Sequence, residues 1–314
     1  WRVETVAYDG SAFTPVRFAE FLRRLADRCR AAEPPIVHDF FVMPGVSWAV
    51  QSYLAWRGIR VSYVKTFVNA PGGGGRGSFE GLLRAGLNNR AVCNSVARRS
   101  RAVTFVRDLP IPGLRVLEAP PRFEPAAPLR REGPPRVAYL GHALRKKGVN
   151  AMPGIVRRVM AGRPGRVQFA FSFSELCDCR QAVAALRAMP DVRVVGPDDP
   201  AAFFAMADVY LLPIADGYAA SGSFNTIWEA MSRGCCVVTA KTSHLPEILT
   251  PRNSVRVERT DEDSYAQAVI GLIDNPGKLE ELRLSAAQDY AVWHARVQPV
   301  VAGRLRDLYE SSRS

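Results

Sequence analysis

No apolar run in the 314 residues approaches the ~18 residues needed to cross a bilayer, and no stretch has the charged start, apolar middle and small-residue cleavage site of a signal peptide. No membrane-spanning helix is therefore expected within these residues. Cysteine is scarce: there are six, scattered apart from Cys177/Cys179 and Cys235/Cys236, and none in the CxxC pairs that hold structural zinc. That removes a disulfide scaffold and a zinc ribbon, and leaves reduced core thiols, the usage expected of a cytoplasmic protein. Few aromatics interleave with the basic residues and no recognised binding motif accompanies them, so nucleic acid is not an expected partner.

What is present is ordinary for a globular enzyme: 47% hydrophobic and 23% charged residues, over a length that suits two domains. The net charge of +12 is uneven. Residues 1–135 hold twenty Lys/Arg against eleven Asp/Glu, whereas residues 136–314 hold twenty-two against nineteen. Arg23, Arg24, Arg28 and Arg30 flank the helically spaced Phe18, Phe21, Leu22 and Leu25, and Arg98, Arg99 and Arg101 add to the excess. A basic amphipathic surface of this kind docks on anionic lipid or an acidic acceptor; the plainer alternative is a solvated helix face. Peripheral contact with the inner face of a membrane is therefore an expectation for an otherwise cytoplasmic protein.

Strand and helix patterns alternate throughout. In the first half the candidate strands are Val3–Ala7, Ile36–Asp39, Val61–Thr66, Ala91–Asn94 and Arg115–Glu118, with helices over Pro15–Ala32 and Val46–Arg57. In the second half they lie near 136–141, 167–173, 192–196, 208–213, 235–240 and 253–258. Pro120–Pro135, PPRFEPAAPLRREGPP, reads as the interdomain connector. Such alternation predicts an α/β protein of two Rossmann-like domains with parallel sheets.

The segment Ala207–Leu249 is the most informative. VYLLP is unbroken apolar, as in a strand covered on both faces. The loop Ser221-Gly222-Ser223-Phe224-Asn225-Thr226 then opens a helix, so unpaired amides and the positive dipole end face the carboxyl edge of the sheet. An anion, and among anions a phosphate, suits that place. Upstream, RVAYLGHALRKKGVN over Arg136–Asn150 is a strand, a glycine turn and a basic helix-opening stretch, a second phosphate-facing arrangement; read alone it is equally a solvated basic turn.

These residues resemble a family. Glu229-Ala230-Met231, Gly234, Val237-Val238 and Leu245-Pro246-Glu247 look like the C-terminal domain of the retaining GT-B glycosyltransferases of family 4, the glycosyl transferases group 1. The resemblance implies two Rossmann-like domains facing a cleft, with residues 1–128 as the acceptor-side domain, completed by a C-terminal helix over 296–314, and 129–295 as the nucleotide-sugar domain. It implies that Glu229 holds the ribose hydroxyls. The family's first glutamate corresponds to Ser221, or to Asp216 if Asp216-Gly217-Tyr218 is aligned with the family's Glu-Gly-Phe; both alignments stand. Gly141, Lys147 and Gly148 match the Gly-Arg-Leu and Lys-Gly elements, with His142 in place of the arginine. In the family that arginine and lysine neutralise the diphosphate, so Lys147 and His142 are candidate catalytic residues with Ser221 and Asp216, and Arg145 is a further cation. An unperturbed histidine, with its pKa near ~6.5, carries charge there mainly when phosphate raises it. Gly141, Arg145, Gly222, Ser223, Phe224, Asn225, Thr226 and Glu229 form the expected donor set.

By the same resemblance RVETVAYDG matches the family's second strand, so its first strand and turn are expected to be missing. His38 and Asp39 end a strand toward the acceptor. Where the family ends its next strand with a histidine, this chain offers Lys65 and Thr66. Asn69-Ala70-Pro71 and Gly72–Gly75 suit either an acceptor lid or a plain connector. The expected activity is transfer of a sugar from a UDP- or GDP-sugar to a hydroxyl acceptor, with no cofactor and no metal. Asp261-Glu262-Asp263, the one Asp-x-Asp, reads better as an acidic helix start than as a metal site. The departures at His142, Ser221 and the strand-end histidine leave two alternatives: an inactive GT-B nucleotide-binding or partner protein, and a GT-B sugar-nucleotide epimerase.

Overall fold

The computed structural model describes residues 15–31, 35–39, 44–67, 90–98, 101–104, 115–116, 123–129, 132–196, 199–214, 225–241 and 248–310. The chain forms two compact units, the first from residues 1–119, 221–223 and 300–314, the second from 120–220 and 224–299. The expected strand Val3–Ala7 and the Gly72–Gly75 loop lie outside the described residues.

In the first unit, α1 (Pro15–Ala31), β1 (Ile36–Asp39), α2 (Pro44–Trp56), β2 (Ser62–Phe67), α3 (Arg90–Arg98), β3 (Arg101–Thr104) and β4 (Arg115–Val116) follow in order. The strands pair in parallel as β1-β2-β3-β4. Helix α1 starts on Pro15, whose missing N–H is needed least at that position, and it buries Leu22, Ala26 and Cys29, spaced by four and three, against Val37, Val46, Val50 and Leu54. The strand expected at Ala91–Asn94 is instead part of α3. Its buried residues are Cys93 and Val96, three apart, which is a helical period. The strand is the next segment, Arg101–Thr104, which pairs with β2 from Val64↔Arg101 onward.

The second unit contains β5 (Arg136–Ala143), α4 (Met152–Gly162), β6 (Gln168–Cys177), α5 (Arg180–Arg187), β7 (Val192–Val195), α6 (Pro200–Ala205), β8 (Val209–Leu212), α7 (Asn225–Ser232), β9 (Cys236–Ala240), β10 (Ser254–Val257), α8 (Glu262–Asp274) and the first part of α9 (Pro276–Glu310). All six strands expected here are present. They form a parallel sheet in the order β7-β6-β5-β8-β9-β10, the doubly wound order in which the chain starts mid-sheet and reverses direction between its first and fourth strands. Every residue of β8 and β9 is buried, which is why both read as unbroken apolar runs. Asp261 caps α8, accepting from the Ser264 amide at 2.8 Å, so the acidic triplet is a helix start.

Two features hold the amino edge of this sheet. Asp208 and Arg283, 9% and 6% exposed, form an ion pair at 3.2 Å, and Asp208 also accepts from the Arg136 amide at 2.8 Å, tying β8 to the first residue of β5. Part of the proline-rich connector is strapped down as well. The Tyr290 hydroxyl donates to the Phe123 carbonyl at 2.7 Å, Arg233 to that of Glu124 at 3.0 Å and Arg283 to that of Leu129 at 3.0 Å. Phe123–Leu129 is thus built into the second unit. Helix α9 passes from the second unit to the first at Pro299, a residue that cannot donate the usual helical hydrogen bond.

Candidate functional site

The reversal of strand order falls between β5 and β8, and open α/β sheets bind ligands outside the carboxyl ends of their strands at such a point. Strand β5 ends there on Gly141-His142-Ala143. Gly141 has φ +148°, reached at little cost only without a side chain, and the Tyr139 hydroxyl donates to the His142 carbonyl at 2.7 Å across the turn. A Cβ on Gly141 would lie 3.5 Å from Lys147 Nζ and 3.4 Å from the Tyr139 hydroxyl oxygen. The lysine ammonium is therefore folded back over the end of β5.

What brings it there is a single turn of 3-10 helix, Arg145–Lys147, closed by Gly148 at φ +74°, whose amide donates to the Arg145 carbonyl at 2.9 Å. The turn lies directly on the end of β8: a Cβ on Gly148 would stand 1.5 Å from the Pro213 carbonyl oxygen. On the other flank, the register of β5 against β6 shifts between His142 and Ala143, a bulge that redirects side chains. His142 Nδ1 is hydrogen-bonded to the Ser174 hydroxyl. Asp178 donates through its amide to the Ala143 carbonyl at 3.0 Å and accepts from the Arg145 amide at 2.7 Å, fixing the start of the basic turn. The same carboxylate accepts from the Cys179 thiol at 3.1 Å. Burial and that carboxylate push the thiol up to about 12, so it stays protonated and unreactive.

Two basic groups of this corner are shifted in the same direction. The Lys147 ammonium is held below its ordinary pKa by burial and then by Lys146; His142 is lowered by burial, then by Lys147 and Lys146. For Lys147 and His142 the causes are burial and neighbouring basic groups, and an anion close by favours the charged form of both.

Beyond β8, α7 begins at Asn225, and the Tyr210 hydroxyl donates to Thr226 Oγ1 at 2.8 Å, anchoring the helix start to β8. Glu229 is the fifth residue of this helix and only 3% exposed. Its charge reaches Tyr290, whose hydroxyl is pushed up to about 12, mainly by burial and in smaller part by Glu124 and Glu229. One residue earlier, Trp228 stacks on Trp293 at 3.8 Å and 18°, which fixes the rotation of α7.

The structure thus gathers Gly141, His142, Arg145 and Lys147 at one corner and sets Asn225, Thr226 and Glu229 on the helix that follows the adjacent strand. Asp216, Ser221, Gly222, Ser223 and Phe224 lie outside the described residues, so Asp216 and Ser221 both stay open. In the first unit, His38 and Asp39 end β1, and parallel pairing sets Asp39 beside Lys65 on β2, with Thr66 next along the strand. Lys65 is 1% exposed, and its charge reaches the Cys93 thiol on α3. Tyr139, Ser174 and Asp178 were not among the expected site residues; the last two sit some thirty residues downstream of β5 with no local motif to mark them. Among the described residues no three His, Cys, Asp or Glu side chains gather in a metal-binding group.

Residues 134–275 match the family described as Glycosyl transferases group 1. Among solved structures the chain resembles sucrose-phosphate synthase from Thermosynechococcus elongatus, with a TM-score of 0.68 and 16% identity over 94% of this chain and 79% of that one. It resembles TarM of S. aureus, with a TM-score of 0.70 and 12% identity over 93% of this chain and 58% of that one. HepE of Anabaena, solved with UDP and glucose, gives a TM-score of 0.66 and 14% identity over 91% and 81%. No curated protein sequence matches the chain. At these identities what is shared is the fold, and it is GT-B.

Proposed function

Because residues 134–275 match the family described as Glycosyl transferases group 1, we propose that the chain moves a sugar from a nucleoside-diphosphate sugar to a hydroxyl acceptor with retention of configuration, as a family 4 enzyme. The observation that carries this reading is the basic, partly buried turn at the strand-order reversal, where Lys147 and His142 are both depressed and Arg145 and Lys146 stand alongside. A diphosphate seated there relieves each of these groups, and the charge that develops on it as the sugar leaves is met by cations already in place. Lys147 is the principal countercharge, with Arg145 and a phosphate-raised His142 beside it. Glu229 takes the ribose hydroxyls, and the amides opening α7 contribute further donors with Ser221 or Asp216 at the sugar. The account uses no metal. HepE was solved with UDP and glucose, which favours a UDP-sugar as the first donor to try. His38, Asp39, Lys65 and Thr66 are assigned to the acceptor side. The basic charge of residues 1–135 supports peripheral contact with an anionic membrane.

A thermal-shift screen across UDP-, GDP- and ADP-sugars tests the donor site, since a ligand at 100 times its dissociation constant adds about 2.7 kcal/mol. One nucleotide should stand out, and NMR of the product should show the donor's anomeric configuration kept. No shift with any nucleotide sugar would remove the donor site; epimerised donor, or binding without any product, would replace transfer by the corresponding alternative.

A further inference from the structure

Helix α2 has the sequence PGVSWAVQSYLAW, without a single charged residue. Its inner side is buried through Ser47, Val50, Gln51 and Leu54. Its outer side nevertheless carries two tryptophans, Trp48 at 46% and Trp56 at 76% exposure, eight residues apart with Ser52 and Ala55 between them. Large rings left in water forgo the gain of burial. The rim of this face is cationic. The Arg57 guanidinium lies 5.7 Å from the Tyr53 ring and 5.9 Å from the Trp56 ring, and donates to the Tyr53 hydroxyl at 3.0 Å. Arg60 follows, exposed.

We infer that the outer face of α2 docks on an anionic bilayer surface, with Trp48 and Trp56 entering the headgroup layer and Arg57 and Arg60 meeting lipid phosphates. Tryptophan favours the membrane–water boundary because its ring is apolar with one polar edge, and each arginine near an anionic leaflet adds attraction. The cationic groups at this end of the helix favour an anionic lipid surface over an uncharged partner. The inference deepens the peripheral contact proposed above and is independent of the transferase chemistry.

The test uses the full chain with vesicles of phosphatidylcholine, with and without phosphatidylglycerol, at low salt, read by co-sedimentation and by tryptophan quenching with brominated lipid. Binding should require the anionic lipid. The double variant Trp48→Ala/Trp56→Ala should lower partitioning about tenfold or more, a scale set by the aromatic area removed from the interface, while melting temperature and nucleotide-sugar thermal shifts stay as in the parent. Arg57→Ala/Arg60→Ala should weaken binding and flatten its salt dependence. Failure to bind anionic vesicles, or binding that the tryptophan variant leaves unchanged, overturns the inference. So does self-association abolished by that variant without any vesicle binding, which assigns the face to a second copy. Vesicle binding as expected, with no nucleotide-sugar response, leaves this inference standing and removes the transferase reading.

Discussion

Replacing Gly148 by alanine separates two effects that a glycine can hide. Gly148 has φ +74°, and a Cβ there would stand 1.5 Å from the Pro213 carbonyl oxygen and 2.5 Å from the Pro213 carbonyl carbon. Gly165 is the internal control: its φ is +69° and nothing lies within 4 Å of its Cβ position. Gly165→Ala therefore incurs only the left-handed penalty, about 1–2 kcal/mol. Gly148→Ala incurs that penalty and must also push backbone from backbone, which adds about 1–3 kcal/mol by analogy with overpacked cores. The sum of about 2–5 kcal/mol should lower the melting transition of the second unit by roughly 5–15 °C. The displaced turn carries Lys147, so donor binding should fall further than stability alone explains. Differential scanning fluorimetry with and without nucleotide sugar reads both effects. Equal melting temperatures for the two variants would refute the close approach of the basic turn to β8, and normal donor affinity in a destabilised Gly148→Ala protein would detach that turn from the phosphate.

Four further outcomes are expected. Lys147→Ala should weaken nucleotide-sugar binding by about 1.5–3 kcal/mol, the worth of a charge-assisted hydrogen bond, and calorimetry showing parental affinity would place the phosphate elsewhere. Glu229→Gln keeps size but loses acceptor capacity, so the donor dissociation constant should rise about tenfold, about 1.4 kcal/mol; a variant that melts early yet binds donor normally would make Glu229 structural. His142 has a folded pKa below its unfolded value, so the stability linked to it is present above the unfolded value of ~6.5 and is lost as pH falls from there toward the depressed folded value. Denaturation profiles should show a loss in that window that His142→Asn removes, and binding of nucleotide sugar should take up a proton there, which titrations in two buffers would detect. Arg283→Met leaves the buried Asp208 carboxylate with the Arg136 amide but without its cation, and frees the Leu129 and Gly234 carbonyls, so urea unfolding should report a loss of about 3–5 kcal/mol; a loss below about 1 kcal/mol would refute the stabilising role given to Arg283.

The sequence alone determined the alternation of strands and helices, the parallel sheets, and the position of the basic turn after β5. Those follow from local periodicity: a strand covered on both faces, such as β8 or β9, has to be apolar at every position, and only a short turn separates β5 from its basic stretch. The same logic misplaced β3, because the Ala-Val-Cys run of α3 is short enough to suit either period, and only packing chose the helical one through Cys93 and Val96. Tertiary structure decided the rest. It placed Gly148 against Pro213, sixty-five residues away, and brought Ser174 to His142 and Asp178 to Arg145 from the end of the neighbouring strand. It buried Lys65 completely, which no local pattern around a lysine announces, and left two tryptophans of an uncharged helix in water. Contacts between residues far apart in the chain depend on strand order and register, and these are set by the collective closing of the sheet.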